Sequence, residues 1–364
     1  MHRGMFYGLI DGWDADLAWL AAHGWDAVIG EDDPAFQAAV RAHGLAPWTC
    51  LGAFTPPSDD PALLCLDVNG QRQLWFGSGC PNHPAVRASL IDRHRRAASR
   101  EQVAGVLLDG IRFASPASGL EAFCTCFCEH CARAATGLGL DFARMQREVT
   151  ALHGRLASGV PLVPPELAGS PATMLGQLAQ WPGVCDWLWF RQRTITDFVG
   201  ELARVVNGEG KRLGAYLFSP CLAPLVGQDY SALAPFLDVL APMLYRNVHE
   251  LNCIAPINTE LHTLASWADQ VPDPAWVLEL AGLPLEALGT RDDLLTRGAS
   301  PEAVGVETAR ARALIGPGKT LAPILWWDDP IADRTMDCVR RNGADGVQVF
   351  RFIDGVRERW DHLG

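Results

Sequence analysis

Four cysteines have the residue type and spacing of a metal site. Cys126, Cys128 and Cys131 form a Cys-x-Cys-x-x-Cys turn, and Cys80 lies well upstream in a Gly-Cys-Pro-Asn-His-Pro segment. Zinc prefers four soft ligands in a tetrahedron, so three thiolates on one turn need a fourth from elsewhere. The sequence therefore predicts a zinc ion held by these four cysteines. Because such ligation closes the coordination sphere, the zinc is expected to be structural.

Disulfides and packed free thiols are the alternatives for this cluster. The chain has 11 cysteines, and an odd total argues against a full disulfide framework. Cys124 and His130 remain open as substitute ligands, because alternation along an extended segment would point Cys124 the same way as two of the predicted ligands.

Carboxylates that follow short apolar runs are the candidates for catalysis. Asp109 ends the run Gly-Val-Leu-Leu-Asp, and Arg112 is expected to keep it ionised, which suits a nucleophile or a stabiliser of positive charge. Glycoside cleavage needs a second carboxylate. Asp328 is the predicted acid, with a helix cap as its alternative role, and Asp11 and Glu31 compete with it closely.

Several other residues at predicted strand ends are expected to contact substrate, the tryptophans by stacking on a sugar face. They are Asp11, Trp13, Glu31, Arg112, Tyr245, Arg246, Trp326, Trp327 and Arg351. Taken singly, Tyr245, Arg246 and Arg351 fit a structural salt bridge or packing role equally well.

The elements that must position these residues alternate between short apolar runs and amphipathic helical patterns, which is typical of parallel α/β folds. Eight strands are predicted, at residues 5–13, 26–30, 47–54, 103–111, 213–219, 239–245, 322–327 and 346–352. Helices are predicted at 14–23, 34–43, 84–98, 186–207, 301–315 and 332–342, several of them beginning at proline. Eight such units predict a (β/α)8 TIM barrel in one domain spanning residues 1–364.

Three connections in this barrel are long: residues 55–83 after the third strand, 112–184 after the fourth and 246–321 after the sixth. Loops that follow barrel strands build the active-site rim, where catalytic residues are found. Asp109 lies near the end of the predicted strand that precedes the second of these loops.

Composition excludes several classes of partner. The chain has 364 residues and a net charge of −12, and no basic run is long, so neither nucleic acid nor an anionic membrane is expected as a partner. No apolar stretch approaches a membrane span, and the N-terminus does not resemble a signal peptide. Free thiols without an export signal predict a cytoplasmic protein. The oligomeric state, including a homo-oligomer, is left open.

The segment Cys-Pro-Asn-His-Pro-Ala-Val-Arg from Cys80, followed by Cys-Phe-Cys-Glu-His-Cys from Cys126, resembles the four-cysteine zinc site of glycoside hydrolase family 42 β-galactosidases. The likeness covers roughly residues 75–150. That family has an Asn-Glu pair at the end of its fourth strand, whereas this chain has Leu108-Asp109-Gly110, so the family's catalytic assignment does not carry over.

The strand around Asp109 is instead similar to that of uncharacterised glycoside-hydrolase-like barrels and to the nucleophile strand of α-amylase-type enzymes. These resemblances imply a glycoside hydrolase acting on a small carbohydrate, with Asp109 as the nucleophile. Two rivals remain: a sugar-acid lyase or isomerase using a catalytic divalent metal, and a carbohydrate-binding pseudoenzyme without a second nearby carboxylate.

Overall fold

A computed structural model describes residues 2–7, 13–160, 170–247, 256–268, 275–284 and 290–352. Within these residues the main sheet has nine strands, ordered β10-β11-β1-β2-β3-β6-β7-β8-β9, and every pairing between neighbours is parallel. A separate antiparallel hairpin joins β4 to β5. The strands are β1 (His2–Tyr7), β2 (Ala27–Gly30), β3 (Ala46–Gly52), β4 (Cys65–Leu66), β5 (Arg72–Gln73), β6 (Gly105–Asp109), β7 (Arg212–Leu217), β8 (Val239–Pro242), β9 (Thr320–Leu321), β10 (Ile324–Trp326) and β11 (Gly346–Phe352).

Helices connect the strands of the main sheet, as the alternating pattern predicts. They are α1 (Trp13–Ala22), α2 (Pro34–Ala42), α3 (Pro84–Ala98), α4 (Leu120–Phe123), α5 (Glu129–Gly137), α6 (Phe142–Ala157), α7 (Pro171–Leu178), α8 (Pro182–Gly208), α9 (Tyr230–Leu233), α10 (Ile257–Ser266), α11 (Ala275–Ala281), α12 (Asp293–Thr296), α13 (Pro301–Ile315) and α14 (Ala332–Arg341). None of the described helices is long and apolar enough to cross a membrane.

Capping residues explain where several helices begin. The Asp33 carboxylate accepts hydrogen bonds from the backbone N–H groups of residues 35 and 36, and Pro34 occupies the first turn of α2. Ser300 does the same for α13 by accepting from the N–H of residue 303. The predicted first helix begins one residue earlier than expected, so Trp13 lies inside α1 and Asp14 is in its first turn.

The seventh predicted strand, 322–327, differs from the structure, which has two short strands at that place. β9 pairs with β8, and β10 pairs with β11. Pro323 lies between them, and a proline has no N–H to donate to a ladder. An isolated parallel bridge also joins Met243, just beyond β8, to Ile324 in β10.

The two faces of the sheet are both covered, which explains why its strands read as continuous apolar runs. Trp48 of β3 packs so closely on β6 that a Cβ on Gly105 would lie 2.5 Å from its ring. Side chains from well-separated strands line one small internal cavity here: Ala27, Ile29, Trp48, Leu107, Val239 and Gln348.

Candidate functional site

The four predicted cysteine ligands are brought together in the structure. Their sulfur atoms lie within 4.8 Å of one another, and all four side chains are buried. Cys80 Sγ lies 3.5 Å from Cys128 Sγ, 3.6 Å from Cys131 Sγ and 3.7 Å from Cys126 Sγ. Zn–S bonds of about 2.3 Å place tetrahedral sulfurs about 3.8 Å apart, whereas a disulfide needs about 2.0 Å. The cluster therefore fits a metal ion such as zinc and not a set of disulfides.

Neighbouring groups donate hydrogen bonds to two of these sulfurs. The backbone N–H of Leu66 lies 3.3 Å from Cys126 Sγ, and the Asn82 side-chain amide lies 3.4 Å from Cys131 Sγ. Donors of this kind stabilise thiolate ligands and orient them. The cluster is thus supported from the β4–β5 hairpin on one side and from the start of α3 on the other.

The two substitute ligands lie outside the cluster. Cys124 is buried but is not part of the group of close sulfurs. The His130 ring packs against His83, with centroids 4.3 Å apart, and its Nδ1 lies 2.7 Å from an Arg133 guanidinium nitrogen.

A buried arginine that no sequence pattern singles out holds the backbone of the cysteine turn. Arg191 of α8 donates to the carbonyl oxygens of Phe123 and Thr125, the latter at 2.6 Å, and its guanidinium lies 3.8 Å from the Trp187 ring centroid. Only the tertiary fold brings α8 beside this turn, so no sequence signal could have found the contact.

Asp109 lies at the carboxyl end of β6, as predicted, and is half-buried. Burial raises the pKa of its carboxyl group to about 6, although the Arg112 charge and a hydrogen bond from the Gly110 N–H act in the opposite direction. Arg112 therefore only partly offsets the desolvation of Asp109. A carboxyl group with such a pKa can hold a proton close to neutral pH, which is a property of general acids.

The Arg112 side chain is 5% exposed and lies among aromatic rings. Its guanidinium carbon is 4.6 Å from the Trp75 ring centroid and 4.6 Å from that of Phe218. Burial lowers its pKa to about 10, against the charges of Glu260 and Asp109.

Glu260 of α10 is a second acidic neighbour of Arg112, and sequence reasoning missed it. It is 1% exposed, and its Oε2 accepts a hydrogen bond of 3.0 Å from the Ala117 N–H. Burial raises the pKa of this carboxyl group. Glu260 lies far along a connection that the sequence identifies only as a long loop.

Phe76 is another residue that sequence reasoning missed, and its ring lies against Gly110, the residue after Asp109. A Cβ on Gly110 would lie 2.9 Å from the Phe76 ring, so the ring rests on that glycine. Phe76 is half-buried and has a φ of 47°, in the left-handed region that non-glycine residues rarely adopt. It lies in a turn closed by the bridge between Trp75 and Ser78, directly after the β4–β5 hairpin. Asp67 shapes that hairpin by accepting from the N–H groups of Asn69 and Gln71 at 2.8 Å each.

The predicted aromatic platforms fall into two places. Trp326 ends β10 and is half-buried, with its ring 6.0 Å from those of Tyr245 and Phe350. Trp13 and Trp327 pack instead against a second apolar cluster, where the Trp13 ring lies 5.4 Å from that of Phe36. The structure therefore does not bring these two tryptophans together with Trp326.

Arg246 forms a buried ion pair with Asp329. Its Nε lies 3.0 Å from Asp329 Oδ2, and its Nη1 donates to the Ala299 carbonyl oxygen at 2.8 Å. The Thr335 hydroxyl donates to the same carboxylate at 2.8 Å. Through these contacts the charged groups of Arg246 and Asp329 connect the segment after β8 to the segment after β10.

The remaining predicted site residues are placed as follows. Asp328 is exposed and follows β10, and Glu31 is exposed and follows β2. Asp11 lies outside the described residues, and only the backbone of Arg351, in β11, is described.

The positions of Glu31 and Asp109 in the sheet can be compared through β3, the strand between β2 and β6. Gly30 of β2 pairs with Thr49 of β3, and Gly52 of β3 pairs with Asp109. Both carboxylates raise the pKa of the Cys50 thiol, in addition to its burial, so both lie near that residue. Strands lie about 4.8 Å apart, so β2 and β6 lie about 10 Å apart across the sheet. The two residues are also offset by two positions, about 7 Å, along the strands, which places their Cα atoms about 12 Å apart.

Comparisons with known proteins give a structural resemblance only. No family model and no curated protein matches this chain. Among solved structures, the PgaB (BpsB) glycoside hydrolase domain from Bordetella bronchiseptica matches with a TM-score of 0.55 and 13% identity, over 98% of this chain and 95% of that one. A GH18 chitinase from Pseudoalteromonas aurantia matches with a TM-score of 0.42 and 10% identity, over 100% of this chain and 96% of that one. On the match with a TM-score of 0.55, the chain has a glycoside-hydrolase-like fold, and the comparisons give no support for family 42 in particular.

Proposed function

We propose that this protein is a glycoside hydrolase with its active site around Asp109. The observation that carries the proposal is a carboxyl group with a raised pKa at the carboxyl end of a parallel strand, beside a half-exposed aromatic ring. Barrel enzymes carry their catalytic groups at such strand ends. The substrate would be a small carbohydrate.

The full (β/α)8 barrel is part of this proposal. We take β9 and β10 as one strand interrupted at residues 322 and 323, which would join β8 to β11 and close a ring of eight strands. The Met243–Ile324 bridge and a 3.1 Å hydrogen bond from the Leu244 N–H to the Ile324 carbonyl support this closure. So does the internal cavity lined from β2, β3, β6, β8 and β11.

The raised pKa favours Asp109 as the proton donor to the leaving oxygen, in place of the nucleophile role that the sequence predicts. Glu31 is then the second carboxylate, taking a proton from the attacking water. From a Cα separation of about 12 Å, two side chains that lean towards each other can reach the wider carboxylate spacing of inverting enzymes, about 6.5–9.5 Å. Asp328 follows β10, which lies three places from β6 around the proposed ring, whereas β2 lies two places from β6, so the topology favours Glu31 over Asp328 as the partner.

The test is a panel of natural oligosaccharides and activated aryl glycosides, with Asp109→Asn run beside the wild type. Loss of the general acid should lower turnover of oligosaccharides by about 100-fold or more. Activated aryl glycosides should lose much less, because their leaving group needs no proton. Asp92→Asn, on the exposed face of α3, is the matched control and should keep full activity. Undiminished oligosaccharide turnover by Asp109→Asn would refute the assignment.

A further inference from the structure

Arg112 is a buried cation whose hydrogen-bonding capacity is mostly unused. Within the described residues, its guanidinium makes one hydrogen bond, from Nη1 to the Phe113 carbonyl oxygen at 3.2 Å. A guanidinium has five N–H donors. Four of these donors are therefore without a hydrogen-bond acceptor among the described residues, although the side chain is only 5% exposed.

The acidic neighbours of Arg112 do not pair with it. Asp109 and Glu260 lie close enough for their charges to raise its pKa, yet neither forms an ion pair with it in the described part of the chain. One oxygen of Glu260 is already used by the Ala117 N–H. The Trp75 and Phe218 rings attract the cation but offer no lone-pair acceptor for its N–H groups.

A buried guanidinium without an anionic partner is costly, because it gives up hydration without gaining an ion pair. An arginine fork fits a planar carboxylate with two parallel hydrogen bonds. Since burial raises the pKa of Asp109 to about 6, the negative charge that an incoming anion meets at this carboxyl group is reduced in mildly acidic solution.

We propose that Arg112 binds a carboxylate group of the substrate, so that the protein acts on acidic saccharides that contain a uronic acid residue. This inference rests on the proposed function, since it places the sugar carboxylate beside Asp109. It assigns Arg112 to substrate selection and leaves proton transfer to the carboxyl groups.

The experiment is calorimetric titration of the wild-type protein with D-glucuronate and D-galacturonate, each compared with its methyl ester and with the neutral parent sugar. The ester keeps the ring and removes the charge. At least one uronate is expected to bind about tenfold or more tightly than its ester, since charge-assisted bidentate bonds are strong. Equal or tighter binding of the esters would overturn the inference, as would preference for a sulfated sugar over the uronates.

Variants test whether Arg112 is the residue that causes the preference for uronates over their esters. Arg112→Gln should reduce the acid-to-ester ratio to about twofold or less, while Arg112→Lys should keep part of it because a point charge remains. Arg212→Gln is the matched control, because Arg212 also lies over an aromatic ring, 4.8 Å from that of Trp48, but at the opposite end of the strands. An acid preference that survives Arg112→Gln would overturn the inference.

The binding measurement separates this inference from the proposed function. Turnover of neutral glycosides with no preference for acids would keep the hydrolase and remove the role of Arg112. Selective binding of uronates without hydrolysis of any glycoside would keep the Arg112 site and remove the hydrolase.

Discussion

Replacing Asp109 with asparagine should stabilise the protein at neutral and alkaline pH. The carboxyl group has a pKa of 3.8 when unperturbed and about 6 in the folded protein, because burial disfavours its charged form. A raised carboxyl pKa means that the folded state binds the proton more tightly than the unfolded state. Stability is therefore fully present below pH 3.8 and is lost as the pH rises through 6.

The size of the effect follows from the pKa difference. A shift of about 2 units corresponds to about 3 kcal/mol, at 1.36 kcal/mol per unit. Asparagine has nearly the same shape and never ionises, so Asp109→Asn should avoid this cost. The variant should match the wild type near pH 4 and exceed its free energy of unfolding by up to about 3 kcal/mol at pH 8.

Urea unfolding of both proteins at several pH values between 4 and 8 measures this difference. Any release of metal from the cysteine cluster at low pH affects both proteins alike and cancels in the comparison. Asp92→Asn, in an exposed ion pair, should change stability by less than about 0.5 kcal/mol at every pH. A gap between wild type and Asp109→Asn that does not grow with pH would refute the reasoning.

Three further outcomes are expected. Phe76→Ala should raise KM about five- to tenfold with little change in kcat, because it removes a stacking surface; Leu74→Ala, at a neighbouring site that is 67% exposed, should leave steady-state kinetics unchanged. Purified protein should contain one zinc per chain by elemental analysis. Cys131→Ser should abolish zinc binding and lower Tm by about 5 °C or more. The control Cys185→Ser, at an exposed cysteine outside the cluster, should keep both the zinc content and the Tm of the wild type. Asp329→Ala should cost about 3–5 kcal/mol in urea unfolding because it leaves a buried guanidinium unpaired; an effect below about 1 kcal/mol would contradict the buried ion pair.

The parts of the fold that local sequence determines could be predicted. The bounds of α3 and α13 follow from proline at the first turn and from apolar residues at helical spacing, and residues 346–352 form a strand as expected. The apolar neighbours of Trp13 predict a strand end there, but this residue begins α1. Apolar runs of this kind occur in buried helices as well as in strands, and tertiary packing decides between them.

The candidate site was only partly predictable for a related reason. The four cysteines carry a recognisable spacing, and Asp109 ends an apolar run. Phe76 and Glu260 reach Asp109 and Arg112 only because two long connections fold back over the strand ends. The sequence around Phe76 and Glu260 contains no pattern that predicts where these two connections fold.

The cysteine cluster joins chain segments that lie 46 residues apart, since Cys80 belongs to the connection after β3 and Cys126 to the one after β6. The β4–β5 hairpin, which directly precedes the turn that carries Phe76, is attached to this cluster through Leu66. A metal ion bound there would therefore fasten two connections that are distant in sequence to one another, and it would hold the loops near Asp109 in place without itself contacting a ligand.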